Sequence, residues 1–248
     1  MKRVKNNHIL YKELFSQYEH SIPIIFSALE GQYPCDLFVN DLDHPKYGLL
    51  FTRFDYHFLG LTKIEEVNSE DIKKTIIEYI HLSKSKECIM FAPSFEAEKM
   101  IKPIFEFFHG VIDVRVSFTL NQTKFHDLKK ELNFNNLTLR QVKDGRSSFY
   151  YPQSEIKIDD KVVCYAKAFM LGLSQAEIDV HTEEQYRKKG YALLCSYALI
   201  EDLLHQQIIP NWSAWKHNKP SHQLAERLGF EFSKEINAYI WVDEFGKI

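Results

Sequence analysis

The stretch from Ala176 to Gln206 constrains the fold more than any other part of this chain. Ala176–Thr182 alternates polar and apolar side chains and contains β-branched residues, which predicts a short strand. From Tyr191 the period changes to that of a helix, whose apolar face carries Leu193, Tyr197, Ile200 and Leu204. Between the two lies Arg187–Gly190, a turn with three basic residues and one glycine. The pattern therefore predicts a strand that ends in a basic turn and opens a helix.

A turn of this kind suits an anion. The first amides of a helix have no intrahelical acceptor, and the helix dipole is positive at that end. Phosphate and pyrophosphate groups commonly bind there. Gly190 would let the backbone approach the ligand closely, and Arg187, Lys188 and Lys189 would add positive charge. We interpret the turn as a pyrophosphate cradle. The competing interpretation, a solvated basic loop ahead of a helix, is not excluded by this short motif alone.

Composition bounds the class of protein. The chain has 248 residues, enough for one large domain or two of ordinary size, and 45% of them are hydrophobic. The net charge of −3 argues against an electrostatic nucleic-acid binder. Apolar runs such as Ile22–Leu29 are too short to cross a membrane, and no apolar signal-peptide region follows the basic first residues. We expect a globular protein without nucleic-acid or membrane partners.

The cysteines point to a reducing compartment. The four of them lie far apart and form no Cys-x-x-Cys pair: Cys35, Cys88, Cys164 and Cys195. This spacing argues against both a metal site and a disulfide framework. We expect buried, reduced thiols and a cytoplasmic location, and we expect Cys195 to be a core residue without reactivity.

Strands and helices alternate along the chain. In the first half we predict helices at His8–His20, Ser69 onward and Ser94–Phe108, and strands at Cys35–Asn40, Tyr47–Phe54, Tyr56–Leu61, Cys88–Ala92 and Val111–Leu120. Ser69 is the expected N-cap of its helix. A short helix at Phe125–Leu132 and the turn-rich segments 133–136 and 143–148 follow. We place the domain boundary there, with domains 1–125 and 126–248.

The second half follows a similar order of elements. We predict strands at Lys161–Met170, Glu177–Thr182 and Pro210–Trp215, helices at 191–206 and Ser221–Leu228, and a final hairpin of Phe230–Ser233 with Ile236–Val242. Gly229 ends the second helix at the position that favours glycine. Where this half has its basic turn, the first half has Thr62–Asn68, with no glycine and with Glu65 and Glu66. If the halves are duplicates, the first has lost the anion site.

Two motifs in the second half together resemble those of one family. Arg187–Ala192 resembles the Gln/Arg-x-x-Gly-x-Gly/Ala pyrophosphate loop of GNAT-type N-acetyltransferases. Asn218–Phe230 resembles that family's Asn-x-x-Ser/Ala-x-x-Leu-Tyr-x-x-x-Gly-Phe helix, and the two occur in the family's order and spacing. The match covers roughly residues 150–242. The phrases around it are similar to those of a two-part bacterial branch that includes acetyltransferases of the zwittermicin-resistance type.

The resemblance implies a fold, a donor and a binding site. The fold would be α/β (α+β), a mixed and mostly antiparallel sheet flanked by helices, preceded by an N-terminal half of similar but degenerate plan. The donor would be acetyl-CoA, and the partner a small-molecule amine. The implied donor-binding residues are Val180, His181 and Thr182 beside the pantetheine arm, Arg187, Lys188, Lys189, Gly190, Tyr191 and Ala192 at the pyrophosphate, and Asn218. No metal is implied.

The catalytic residues are less completely specified. Glu177 lies ten residues before Arg187, where the family often has its general base, and a carboxylate can take the amine's proton. His181 is an alternative base, and Glu177 has an alternative structural role in its strand. The family's general acid is often a tyrosine of the last helix, but the matching residue here is Ala225. Either another group, with Tyr239 as a candidate, or water would then protonate the departing thiolate. A non-catalytic module that binds acyl-CoA is therefore a second reading.

Overall fold

The computed structural model describes residues 1–128, 132, 137–143 and 149–243. Two compact units divide the chain. The first unit consists of Met1–Val114 together with Ile236–Ile248, and the second unit of Arg115–Glu235. The chain thus enters the second unit after Val114 and leaves it after Glu235.

The first unit is a mixed sheet with helices. Its strands are β1 (Lys2–Val4), β2 (Cys35–Val39), β3 (Tyr47–Thr52), β4 (Tyr56–Leu61), β5 (Glu87–Phe91) and the later part of β12 (Phe230–Val242). Its helices are α1 (Ile22–Leu29), α2 (Ser69–Ser83) and α3 (Phe95–Phe107), with 3₁₀ helices at His8–Phe15 and Ile64–Glu66. Strands β1 to β4 pair antiparallel in sequence order, β4 and β5 pair parallel, and β5 pairs antiparallel with β12.

The second unit has the same strand plan. Its strands are β7 (Leu137–Lys143), β8 (Tyr150–Ile158), β9 (Lys161–Gly172), β10 (Gln175–Thr182), β11 (Ile209–Trp215) and the later part of β6 (Val111–Leu120). Its helices are α4 (Gln122–Leu128), α5 (Tyr191–His205) and α6 (Lys219–Arg227), with a 3₁₀ helix at Glu184–Tyr186. Strands β7 to β10 pair antiparallel, β10 and β11 pair parallel, and β11 pairs antiparallel with β6.

A separate hydrophobic core supports each sheet. In the second unit α5 contributes Leu193, Cys195, Tyr197 and Leu203 to a core that also holds the strand residues Ile178 and Trp212. The buried run Cys195–Ile200 lies on more than one side of α5, so burial of most of its circumference explains the helix. In the first unit Ile72, Ile76 and Ile80 lie on one face of α2, and this face packs in a core with residues of β3 and β5. The predicted fold class, a mixed and mostly antiparallel sheet with flanking helices, is confirmed.

The predicted final hairpin is wrong. Residues 230–242 form one continuous strand, β12. Tyr239–Val242 pairs with Glu87–Met90 of β5, so this part of β12 completes the first unit's sheet and does not fold back on Phe230–Ser233. The compact units therefore differ from the sequence-based division at residue 125, because a strand far along the chain returns to the first unit.

The N-terminal region also departs from expectation. The predicted helix at His8–His20 is a 3₁₀ helix that ends at Phe15, and a separate helix, α1, begins at Ile22. Pro23 lies in the first turn of α1, where its missing N–H removes no intrahelical hydrogen bond, so it is compatible with a helix that begins at Ile22. The N-cap of α2 is Asn68, one residue before the predicted Ser69, and its side chain accepts from the Glu70 amide.

Three strands escaped prediction: β1, β7 and β8. The last two are paired over seven residues, and β8 also pairs with β9. The helix predicted at Phe125–Leu132 begins three residues earlier, as α4. Residues 129–131, the predicted turn at 133–136 and most of the one at 143–148 lie outside the described residues.

Candidate active site

Two neighbouring strands of the second unit diverge and open a cleft. Strands β10 and β11 pair only over Gln175–Glu177 and Ile209–Asn211. Beyond that point β10 stays paired with β9 as far as Thr182, whereas Trp212–Trp215 of β11 pairs with β6. The edge of β10 that faces away from β9 has no strand partner after Glu177 in the described part of the chain. An extended ligand with amide groups can bind along such an edge.

The basic turn lies at one end of this cleft. Gly190 is the N-cap of α5 with φ +82°, and among the described residues no side chain caps this helix end. A Cβ on Gly190 would have no described atom within 4 Å, so glycine is favoured here by its conformation, and the space beside it is open. Arg187 Nε donates to Thr182 O over 3.2 Å, which ties the turn to the end of β10. The positive end of α5 is therefore available to an anion.

A cavity of ≈ 860 Å³ connects the strand split to the turn. Nine of the ten predicted donor-binding residues line it: Val180, His181, Thr182, Arg187, Lys188, Gly190, Tyr191, Ala192 and Asn218. Lys189 is the exception among the described residues, and its Nζ lies 4.9 Å from the ring centroid of Tyr186. Positive charge at the cavity therefore comes from Arg187 and Lys188 on the turn, and from Arg115 and Arg227 elsewhere.

Asn218 combines a structural position with exposure to the cavity. It is the N-cap of α6, and its Oδ1 accepts from the Ser221 amide at 3.3 Å. Capping of this kind fixes where α6 begins. The Ser221 hydroxyl in turn accepts from Trp212 Nε1 over 3.1 Å, so α6 is attached to β11. Trp212 is buried in the second unit's core.

Glu177 lies at the point where the two strands separate. Its side chain is buried, and its Oε1 accepts from Ser213 Oγ at 2.6 Å. Arg115 Nη2 donates to the same Ser213 Oγ at 2.6 Å. Burial raises the pKa of Glu177, while the Ser213 hydrogen bond and the charge of Arg115 oppose that rise. A carboxylate with a raised pKa is better matched to proton transfer near neutral pH than a solvated one.

Tyr239 lies in the first unit. It pairs with Met90 of β5, and its hydroxyl donates to Glu98 Oε2 over 3.3 Å. Burial and the nearby Glu98 carboxylate raise its pKa, which keeps the hydroxyl protonated. The cavity of the second unit is lined by other described residues. A role for Tyr239 as proton donor stays a prediction.

Other candidate residues have ordinary surroundings. The ring of His181 stacks on that of Tyr165 at a centroid distance of 5.6 Å, and its Nε2 lies 3.7 Å from Glu183 Oε1. Ala225 is fully buried in the second unit's core. Cys195 is also fully buried, as expected, and its interaction with Cys164, together with burial, raises the pKa of its thiol. The four cysteines are free, three of them buried and Cys35 half-buried.

Sequence reasoning missed Ser213 and Arg115. Ser213 lies between Trp212 and Ala214, and the alternation of β11 indicated that it faces away from the core. Its partners could not be read from the sequence, because 98 residues separate it from Arg115 and 36 from Glu177. The register of three strands brings them together.

A strand edge without a described partner, with an uncapped helix start beside it, is a complement to an extended ligand that carries an anionic group. Comparison with known proteins gives a family match for this part of the chain. Residues 155–239 match the family model for GNAT acetyltransferase, and this segment contains the split, the turn and α6. The resemblance of this segment to GNAT-type N-acetyltransferases is confirmed.

Similar proteins extend over nearly the whole chain. An uncharacterized N-acetyltransferase of Bacillus subtilis (strain 168), YdfB, is 24% identical over 239 residues, which cover 87% of this chain and 88% of the relative. A GCN5-related N-acetyltransferase-like protein from Streptococcus suis 89/1591 has a similar structure, with TM-score 0.66, 20% identity and coverage of 95% and 98%. A tandem GNAT protein from the clavulanic acid biosynthesis pathway gives TM-score 0.63 at 10% identity, covering 97% and 95%. These structures share the fold of both units, which fits a two-part arrangement.

The helices of the described residues are all too short or too polar to cross a membrane.

Proposed function

We propose that this protein transfers an acetyl group from acetyl-CoA to the amine of a small molecule. The observation that carries the proposal is the meeting of two features in one cavity. These are the unpaired edge of β10 beyond Glu177 and the uncapped, basic start of α5. An acyl-CoA has an extended arm with amide groups and a pyrophosphate, and the cavity offers a complement to each.

Donor binding rests on the described residues alone. The pyrophosphate would accept hydrogen bonds from the first amides of α5, with Arg187 and Lys188 supplying charge. The pantetheine arm would pair with the backbone of Val180–Thr182. Open space at Gly190 lets the donor approach the backbone there. We expect one donor per chain with micromolar affinity, about −8 kcal/mol.

The acceptor amine must lose a proton before it attacks. A free alkylamine has a pKa of ~10.4 and is almost entirely protonated at neutral pH. Glu177 is the proposed proton acceptor, because its burial raises its pKa and it lies where the strands separate. Tyr239 remains a candidate donor to the departing thiolate, with its hydroxyl held protonated by burial and by Glu98.

A second function keeps donor binding without turnover. Ala225 occupies the position of the family's usual tyrosine and is sealed in the core, so no hydroxyl is available from that residue. A module that senses acyl-CoA would need only the turn and the β10 edge. The buried carboxylate at the strand split favours the enzyme, since a sensor has no use for it.

The test has two arms. Titration calorimetry with acetyl-CoA measures binding, and release of free thiol from acetyl-CoA with spermidine, tyramine, glucosamine and lysine as acceptors measures turnover. The proposal expects one donor site per chain and thiol release above the acceptor-free rate with at least one amine. Binding without release would favour the sensor, and absence of binding would overturn both. The same proposal puts the reaction in the cytoplasm, which the four free cysteines support.

A further inference from the structure

Ser213 separates Glu177 from the cavity. Among the described residues, the lining of the cavity includes Ser213 and Arg115 but not Glu177. Glu177 is buried, whereas Ser213 is half-buried and its hydroxyl donates to the carboxylate at 2.6 Å. A proton on a molecule in the cavity therefore meets the serine hydroxyl before it meets the carboxylate.

We propose that Ser213 relays the proton from the acceptor ammonium to Glu177, with Arg115 as the residue that positions it. This inference rests on the proposed acetyl transfer and adds to it the group that touches the acceptor. Neither motif of the sequence contains Ser213, and the role depends on its position between two charged side chains.

The valences of the hydroxyl agree with a relay. A serine hydroxyl has one proton to donate and two lone pairs to accept with. The proton points to Glu177 Oε1, and one lone pair accepts from Arg115 Nη2 at 2.6 Å. The second lone pair is the one that an ammonium N–H would reach from the cavity. Both observed bonds are charge-assisted, so they hold the hydroxyl in one orientation.

Arg115 has a second effect on the acceptor. Its guanidinium lines the cavity and lies over the ring of Trp215, with 5.0 Å from Cζ to the ring centroid. A positive charge near an ammonium group favours the neutral amine, which is the form that attacks. Arg115 thereby assists deprotonation while it orients Ser213.

The step balances in protons and bonds. An ammonium proton passes to Ser213 Oγ as the serine proton passes to Glu177 Oε1, which leaves a neutral amine, a serine hydroxyl and a protonated carboxyl. The amine nitrogen then forms a bond to the thioester carbonyl carbon, the carbon–sulfur bond breaks, and the second amine proton ends on the sulfur. Glu177 returns its proton to solvent before the next cycle.

The charged neighbours of this site come from three strands. Arg115 on β6 is the charged group that acts on Glu177 directly. Asp179 and His181 follow Glu177 at alternate positions on β10, and opposite them on β9 lie Lys167 and Tyr165. The Tyr165 hydroxyl donates to Asp179 over 3.4 Å. A pH profile of the relay must therefore be compared between variants that leave these groups unchanged.

The test uses the amine that gives the fastest thiol release with the wild-type protein. Ser213→Ala should lower kcat by about 100-fold, the lower end of what proton transfer contributes, and leave the acetyl-CoA Kd within twofold. Ser213→Thr keeps a hydroxyl and should retain most of kcat. Ser117→Ala is the matched control, because Ser117 lies opposite Ser213 on β6 and does not line the cavity among the described residues.

A double substitution separates a relay from simple packing. Ser213→Ala combined with Glu177→Gln should be no slower than the slower of the two single variants, because both interrupt one proton path. The rate of each should rise with pH toward the pKa of the free amine. Wild-type kcat in a folded Ser213→Ala protein, or fully additive losses, would overturn the relay and leave acetyl transfer standing. Absence of thiol release by the wild-type protein with every amine would overturn both.

Discussion

The two units share one strand order and differ in what lies beyond the short parallel pairing of two central strands. In each unit four antiparallel strands lead to a parallel pair, β4 with β5 in the first unit and β10 with β11 in the second. The parallel pairing is three residues long in both. Beyond it the second unit has a cavity lined by the turn and by α6. At the corresponding place, the first unit has Gln17 and Tyr18 of its own N-terminal segment.

Two side chains of that segment donate hydrogen bonds to backbone carbonyls of β4. The Tyr18 hydroxyl lies 2.9 Å from both Leu59 O and Phe91 O, so it bridges β4 and β5 where their pairing ends. Gln17 Nε2 donates to Leu61 O at 3.3 Å and to Thr62 O at 3.1 Å. These carbonyls correspond in position to the β10 edge where the donor is proposed to pair. The first unit thus pairs these backbone carbonyls with its own side chains, whereas the corresponding β10 edge has no strand partner among the described residues.

The helices that follow β4 and β10 differ in the same way. Asn68 caps α2, and Glu70 and Asp71 place negative charge in its first turn. Gly190 begins α5 without a side-chain cap in the described residues, and no acidic residue lies in the first turn. An anion gains from the second arrangement and is repelled by the first. This scaffold therefore offers an anion a favourable helix start only where the described residues leave that start without a side-chain cap.

The largest effect that we expect from a substitution is on kcat. We expect Glu177→Gln to lower kcat by roughly 10²–10⁴, because glutamine cannot accept the amine's proton, and to leave acetyl-CoA affinity nearly unchanged. Tyr239→Phe in the first unit is the comparison, with a smaller loss expected. Steady-state kinetics on an accepted amine measure both. Full activity of the Glu177→Gln protein at pH 7 would move the proton-accepting role to His181 or to water.

The next largest expected effect is on donor affinity, at the turn Arg187–Gly190. Gly190→Asp should raise the acetyl-CoA Kd by about 100-fold, or ~2.7 kcal/mol, since it sets a negative charge against the pyrophosphate. Gly190→Asn is the matched control: asparagine has the same shape, tolerates positive φ and carries no charge, and the space at Gly190 admits it. Calorimetry gives affinity and stoichiometry together.

A counterpart in the first unit completes that test. Asn68→Gly gives α2 a glycine N-cap and should create no donor site, because Glu70 and Asp71 remain and Tyr18 still bridges β4 and β5. Its stability cost should be a few tenths of a kcal/mol. A stoichiometry near two per chain in the wild-type protein would contradict the contrast between the units.

Acid should weaken the first unit selectively. Burial lowers the pKa of His57 to about 3, below its unfolded value of ~6.5, so its stability contribution is present above pH 6.5 and is lost as the pH falls. The loss between pH 6.5 and 5 is about 2 kcal/mol. Glu177 has the opposite sign, because its pKa is raised and protonation relieves the cost of burying its charge.

Urea unfolding between pH 7 and 5 measures this difference, and amide hydrogen exchange assigns it to a unit. His57→Phe should remove the acid loss, since Phe51 and Tyr79 already surround the ring. Glu177→Gln should be at least as stable as the wild-type protein at pH 7, with an advantage that disappears in acid. An unchanged pH dependence in His57→Phe would show that the acid sensitivity lies elsewhere.

The smallest effect that we expect is on the unfolding free energy, at the Tyr18 bridge between β4 and β5. Tyr18→Phe removes a buried donor from two carbonyls and should cost about 1–2 kcal/mol of unfolding free energy, without changing acetyl-CoA affinity or stoichiometry. Tyr11→Phe, whose hydroxyl donates to Leu42 O at 3.2 Å near the surface, should cost less. Equal costs would mean that the bridge between β4 and β5 adds nothing to stability.

Local signals predicted the part of the site that is local in sequence. The strand Gln175–Thr182, the turn and α5 are contiguous, so periodicity and one glycine were enough to find them. The strands Val111–Leu120 and Tyr56–Leu61 were predicted with the observed bounds, because their alternation and flanking turns are clear. Such elements are specified by their own residues.

The remainder depends on contacts that no local pattern encodes. Ser213 and Arg115 acquire their meaning from strand register, and Tyr18 from its position between β4 and β5. The predicted final hairpin is wrong because Phe230–Val242 is one strand, and pairing with β5 keeps its later part extended. Tertiary pairing decided these cases against local preference.

The path of β12 has a consequence for synthesis on the ribosome. The sheet of the first unit ends with Ile236–Val242 against β5, yet these residues are made only after every other element of both units. While translation proceeds, β5 presents an unpaired edge through the whole period in which the second unit is being made. An exposed edge of this kind invites pairing with other nascent chains. Maturation of the first unit therefore awaits the second, and a ribosome that stalls between residues 120 and 235 would release a chain in which both units are incomplete.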